Sequence, residues 1–151
     1  MMATMTEETS VLRFNGSIWC NLDIALRSVD QLFRQEIRPA ELTVIEWYIL
    51  RALYKRDGQH ASELANAVGR AATSFTPNLD KLQNKGLIER RPDPSDRRAV
   101  RIYLTNFAQS KRSEVLESAQ KIDTKLAKMI GQNEFLAFQS VLGLLQTISD
   151  E

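Results

Sequence analysis

Apolar residues return at helical spacing along the first arm of the chain. Ile18, Leu22, Ala25, Val29 and Leu32 recur between charged positions, which predicts a helix over about 11–37. Arg38-Pro39 closes it, because a residue before proline is pushed out of the α region. Thr43 with Glu46 three residues later is a capping-box pattern, and it predicts a second helix with Ile45, Ile49, Ala52 and Leu53 as its buried stripe. Asp57-Gly58 stops that helix. A short helix over about 61–68 breaks at Gly69, and another over about 74–85 ends at Gly86 in a left-handed cap. From Leu87 the period changes to two. Val100, Ile102 and Leu104 alternate with Arg101 and Tyr103 as in a half-buried strand, with 87–91 as its partner across a turn over 92–98. After Thr105 the helical period returns. Leu116, Ala119, Ile122, Leu126 and Met129 form one stripe, and Phe135, Phe138, Leu142, Leu145 and Ile148 form another beyond Gly131.

The order is helix, helix, helix–turn–helix, β-hairpin, two helices. That is a mainly α protein with a small β-hairpin wing, a winged helix–turn–helix flanked by N- and C-terminal helices. The outer helices carry wider apolar faces than so small a middle can cover, so a homodimer is expected. The division expected is an N-terminal dimerisation helix over 1–38, a winged helix–turn–helix over 39–105, and C-terminal dimerisation helices over 106–151. At 151 residues, 43% hydrophobic and 26% charged, the composition is that of an ordinary globular protein. The first residues have no basic n-region or apolar run, and nothing approaches the roughly 20 apolar residues of a membrane span. Cys20 is the single cysteine, so no internal disulfide forms, and a cytoplasmic location is expected.

A net charge of +1 conceals a strong asymmetry. Residues 70–112 carry 10 basic and 4 acidic side chains, between a first arm of 7 and 9 and a last arm of 3 and 6. A basic module between acidic arms suits a polyanionic partner, although a solvated surface accounts for the charge alone equally well. In the helix after Gly69, Phe75, Leu79 and Leu82 share the inward face. Thr73, Ser74, Pro77, Lys81 and Asn84 then point outward, with Thr76, Asn78, Asp80 and Lys85 on the flanks. Asn bonds bidentately to adenine, Thr meets a thymine methyl, and Lys reaches guanine or phosphate. The same residues also suit a plain polar helix face. With Ser74 as N-cap, Pro77 falls at the third helical position, where its missing N–H costs nothing. The following stretch, ERRPDPSDRRAVRIYLT, sets arginines around a turn directly after this helix. Arginines at such a tip enter a narrow A·T-rich minor groove, where the potential is most negative. Asp93 and Asp96 are expected to hold arginines in place, Asp96 through Arg98 or a nearby backbone turn.

ELANAVGRAATSFTPNLDKLQNKGLIERRPDPSDRRAVRIYLT resembles the winged helix–turn–helix core of the MarR family of transcriptional regulators, most specifically from KGLIERR onward. The resemblance implies a dimer on double-stranded DNA at a pseudo-palindromic operator, with repression the expected outcome. It implies minor-groove insertion by Arg98, with Arg97 adjacent, since the family's Asp-x-Arg element matches Asp96 and Arg98. Recognition-helix positions match Ser74, Thr76, Pro77, Asn78 and Lys81, and Pro77 stands where members often carry a basic residue. Arg70, Lys85 and Arg90 or Arg91 are the expected phosphate contacts. A small aromatic or phenolic effector is implied as well, with Trp19, Asp23, Trp47, Tyr48 and Arg51 as candidate pocket residues.

Cys20 has no cationic neighbour in sequence to favour its thiolate, and an inert buried thiol is the expectation. A thiol-sensing regulator is the alternative, and so is a winged-helix module that docks an acidic protein. One His and one Cys, far apart, supply neither a metal cluster nor a nucleophilic triad, and the glycines are scattered singly. No enzymatic activity, metal or cofactor is expected.

Overall fold

The structure is a computed structural model that describes residues 12–69 and 72–148, without the side chains of residues 72–74. Among the described residues seven α-helices and three strands follow in the order α1 (Ile18–Ile37), α2 (Val44–Lys55), β1 (Gln59–His60), α3 (Ala61–Ala67), α4 (Ala72–Asn84), β2 (Ile88–Asp93), β3 (Asp96–Leu104), α5 (Asn106–Ser110), α6 (Arg112–Ile130) and α7 (Gln132–Leu145). The chain forms two compact units, one ending at Leu32 and one beginning at Phe33.

In the first unit Asn21 staples the entry to α1. Its Oδ1 accepts from the Arg13 N–H at 3.0 Å, and its Nδ2 donates to the Arg13 carbonyl at 2.9 Å and the Ser17 carbonyl at 2.6 Å. The apolar stripe forms as predicted, yet no residue from Leu12 to Leu32 is buried.

The second unit is built around α2. Thr43 and Glu46 close the predicted capping box, the Thr43 Oγ1 accepting from the Glu46 N–H at 3.3 Å and the Glu46 Oε2 from the Thr43 N–H at 3.0 Å. Ile49 and Leu53 are buried as the stripe requires, with Ile45 and Ala52 partly buried beside them. Trp47, Leu50 and Tyr54 are buried too, so the helix is covered on more sides than one stripe predicts. Burying each such large side chain contributes about 1.5–3 kcal/mol. Polar tips find partners: the Trp47 Nε1 donates to the Val115 carbonyl at 2.7 Å, and the Tyr54 hydroxyl to the Ala108 carbonyl at 2.6 Å. Burial pushes the Tyr54 phenol up to about 12.

Three features depart from the sequence reading. The hairpin gains a third strand, giving an antiparallel order β1-β3-β2 in which Gln59 pairs with Ile102 and His60 with Arg101. Two residues are too few to show a period. The helix after Thr105 is interrupted at Lys111, and Thr105 caps the short α5 by accepting from the Ala108 N–H at 3.1 Å. In α6 the buried positions are Val115, Ser118, Ile122 and Leu126, while Met129 is exposed. Gly131 separates α6 from α7 at a φ of +101°, and none of the 14 residues of α7 is buried.

Candidate nucleic-acid interface

The helix–turn–helix forms from the residues that predict it. Ala65, in α3, is buried, and Gly69 turns the backbone at a φ of +72°. Phe75, Leu79 and Leu82 are buried, which fixes the rotation of α4. Thr76, Pro77, Lys81 and Asn84 are exposed in consequence, with Asn78 half-buried. Arg70 lies outside the described residues, and so do the side chains of Thr73 and Ser74.

The start of α4 corrects one expectation. The helix begins at Ala72, so Ser74 is its third residue and not its cap, and Pro77 is the sixth. At that place a proline removes the donor to the carbonyl four residues back, a cost the N-terminal reading avoided. The far end follows the sequence closely. The Leu87 N–H donates to the Leu82 carbonyl at 3.0 Å and the Gly86 N–H to the Gln83 carbonyl at 2.9 Å, with Gly86 at a φ of +73°. These two bonds form a Schellman motif, which requires a left-handed residue at Gly86.

Two cations lock α4 to its neighbours. Arg90, from β2, donates to the Asp80 Oδ1 at 2.7 Å and the Gln83 Oε1 at 2.5 Å. Lys85 donates to the Glu46 Oε2 at 2.7 Å and the Glu41 carbonyl at 2.5 Å. Arg91 pairs with Glu89 and lies over the Tyr103 ring, 4.4 Å from its centroid. The opposing ring leaves no room at Gly58, where a Cβ would come within 2.8 Å of the Tyr103 Cε1.

The hairpin tip is irregular. Pro92 pairs with Val100 and Asp93 with Asp96, so residues 97–99 bulge out of β3 without partners on β2. Pro92 is tolerated because β2 is an edge strand. Val100, predicted on the buried face, is exposed although its register with Pro92 is regular. Arg97 and Arg98 occupy the bulge, exposed, and neither guanidinium forms an ion pair among the described residues. The Arg98 N–H donates to the Asp96 Oδ1 at 3.0 Å, the backbone alternative expected for Asp96.

Asp93, 4% exposed, anchors the tip. Its Oδ1 accepts from the Ser95 N–H at 2.9 Å and the Ser95 hydroxyl at 2.8 Å. Its Oδ2 accepts from the Arg101 Nε at 3.0 Å and stands 2.5 Å from the His60 Nε2. The Ser95 N–H, then His60 and the Ser95 hydroxyl, hold the Asp93 carboxyl well below the usual carboxylate range. Arg101 also donates through its Nη1 to the Gly58 carbonyl at 2.8 Å, tying tip to sheet. Sequence reading gave Asp93 an arginine partner without naming Arg101, and gave His60 no part in the wing. His60 also precedes α3, where the Glu63 carboxylate accepts from its backbone N–H at 3.0 Å.

The candidate effector residues are divided between the units. In the first, Trp19 is exposed and Asp23 pairs with Arg27. In the second, Trp47 is 3% exposed and packs edge-on against Phe33, with centroids 4.9 Å apart. Tyr48 also meets the Trp47 ring edge-on, and the Arg51 guanidinium lies 5.2 Å from its centroid. The Cys20 side chain is half-buried in the first unit. Among the described residues no group of three or more His, Cys, Asp or Glu side chains is placed to hold a metal ion.

Residues 42–100 match the family model of the MarR family. The transcriptional repressor CouR, solved bound to a 23-mer DNA duplex, aligns at 25% identity over 86% of this chain and 92% of its own, with a TM-score of 0.79. BpsR of Bordetella bronchiseptica, described for regulation of its DNA binding by 6-hydroxynicotinic acid, aligns at 20% identity over 92% and 99%, also with a TM-score of 0.79. Wild-type MarR from E. coli, in its apo form, aligns at 21% identity over 85% and 96%, with a TM-score of 0.72.

Proposed function

Since residues 42–100 make this chain a member of the MarR family, a DNA-binding transcriptional regulator with a winged helix–turn–helix, we propose that it acts as a homodimeric repressor on a pseudo-palindromic operator. The observation that carries this reading is the pairing of two surfaces on one unit. One is the outward face of α4, with Thr76, Asn78 and Lys81. The other is the bulged tip, where Arg97 and Arg98 are exposed with no ion pair among the described residues, while Asp93 and Asp96 hold the backbone beneath them. Thr73 and Ser74 extend the first surface in the sequence. On this reading α4 enters the major groove and reads base edges, and Arg97 and Arg98 enter the flanking minor groove. Arg70 serves as a phosphate contact, and so does Arg91, the more exposed member of its pair with Glu89. Lys85 and Arg90 have their charges engaged within the protein, and act there mainly by fixing α4. Pro77 supplies apolar contact with a thymine methyl in place of a hydrogen bond.

Dimerisation is supported by the apolar, unburied faces of α1 and α7, which water does not favour leaving open. Release by a small molecule belongs to the same proposal, and the regulation described for BpsR supports it. Selection from a pool of random duplexes tests the operator. The expected winners are inverted repeats with half-site centres about 10 bp apart, or a multiple of that. A pool that stays random, or single unrepeated sites, would overturn the proposal.

A further inference from the structure

A clasp of three side chains crosses the sheet beneath the wing. His60 on β1 is the register partner of Arg101 on β3, and both converge on one oxygen of Asp93 at the end of β2. β1 is a two-residue edge strand, and His60 leads directly into α3, the first helix of the helix–turn–helix. The contact at its Nε2, 2.5 Å long, therefore ties the hairpin tip to the start of the helix–turn–helix. His60 is also the only histidine of the chain. Imidazole is the side chain that ordinarily changes charge between about pH 5 and 8.

The ring is partly buried, and two carboxylates stand next to it. Asp93 meets the Nε2, and the Glu63 Oε2, from α3, lies 3.8 Å from the Nδ1. Two cations reach the ring only through those carboxylates. Arg101 donates to the same Asp93 oxygen at 3.0 Å, and Arg56, after α2, to the Glu63 Oε2 at 3.4 Å. Arg91, opposite Arg101 on β2, is engaged with Glu89 and Tyr103. The dipole at the start of α3 opposes a positive ring, but by less than a direct carboxylate contact favours one. A neutral imidazole still donates one bond to Asp93. The charged ring makes that bond charge-assisted, roughly twice as strong, and turns its second N–H towards Glu63.

We propose that His60 is a positioning residue for the wing, whose charged form locks Asp93 and the tip that carries Arg97 and Arg98, so that operator affinity rises as pH falls from about 8 to about 5.5. This rests on the operator-binding function proposed above. The locked tip is the form that fits the minor groove. DNA and the proton then favour the same state, and each raises affinity for the other. Arg101 keeps its own bond to Asp93 throughout, so the neutral ring loosens the tip without releasing it.

The test is fluorescence anisotropy of the full chain on the selected operator and on random duplex, at about pH 5.5 and about pH 8 and constant salt. Wild-type affinity for the operator is expected to be about fivefold higher at the lower pH. Random duplex, held by phosphate contacts, is expected to change little. His60→Gln is expected to remove the pH dependence at the weaker level, and His60→Lys, which keeps a cation, to remove it at the tighter level. Calorimetry of operator binding in two buffers of different ionisation enthalpy is expected to show proton uptake in the wild type only. No pH dependence in the wild type, an equal dependence on random duplex, or one that persists in His60→Gln would overturn the proposal. Where a variant fails to fold, absence of proton uptake by the wild type overturns it alone. Absence of any preferred duplex would instead count against the function proposed above. ¹⁵N relaxation of the Ser95 and Arg98 amides in the free protein then decides the clasp, with more motion expected at the higher pH and equal motion overturning it.

Discussion

Four contacts converge on the Asp93 carboxylate, two from Ser95 and one each from His60 and Arg101, and they join the hairpin tip to β1 and to its own strand. Asp93→Asn keeps the shape and removes the charge that Arg101 needs. Operator affinity is expected to fall about tenfold while affinity for random duplex changes little. Equal losses on both duplexes would show that the tip does not position the arginines. The lowered Asp93 titration also fixes a sign. An acid that the fold prefers as its anion adds stability above its ordinary value near about pH 4, and that stability is lost as pH falls through the depressed value. Urea unfolding between about pH 5 and pH 2 is therefore expected to lose stability more steeply in the wild type than in Asp93→Asn. Parallel curves would contradict this.

At the scale of elements, the sharpest tension lies in α4, where Pro77 sits sixth in the helix without an N–H to give. Pro77→Ala restores that donor and is expected to raise stability by about 1–3 kcal/mol in urea unfolding, with a changed base preference in duplex selection. Unchanged or lower stability would mean that the helix has already adapted to the proline. This is also where the sequence misled, because a cap was assigned to Ser74 on the assumption that Pro77 belongs in the first turn. Other chemistry confined to a few neighbouring residues was legible: the Thr43–Glu46 box, the Gly86 cap, the inward trio of α4 and the strand alternation through Ile102 and Leu104. What escaped depends on residues distant in the chain. His60 meets Asp93 across 33 positions, and Lys85 meets Glu46 across 39, so no local period reports either contact. For the same reason the sequence offers Lys85 as a phosphate contact with no sign of its pairing to Glu46.

At the scale of the molecule, the unburied apolar side chains are what support the proposed homodimer. Leu144 is 70% exposed and Ile148 75%, beside Leu136 and Val141 on or next to α7, a cost that a second copy would relieve. Leu144→Glu is expected to convert a dimer to monomer in sedimentation velocity while helical content by circular dichroism is kept. A dimer that survives the charge would place the interface elsewhere. The central claim, that α4 and the bulged wing read DNA together, is tested most directly by fluorescence anisotropy on the duplex upstream of the protein's own gene. A scrambled duplex is run beside it at two salt concentrations, with Arg97→Ala/Arg98→Ala as the variant. The expected result is tight binding to the native duplex alone that persists at higher salt and falls substantially in the variant. Equal, salt-sensitive binding to both duplexes, unchanged by loss of the two arginines, would contradict it.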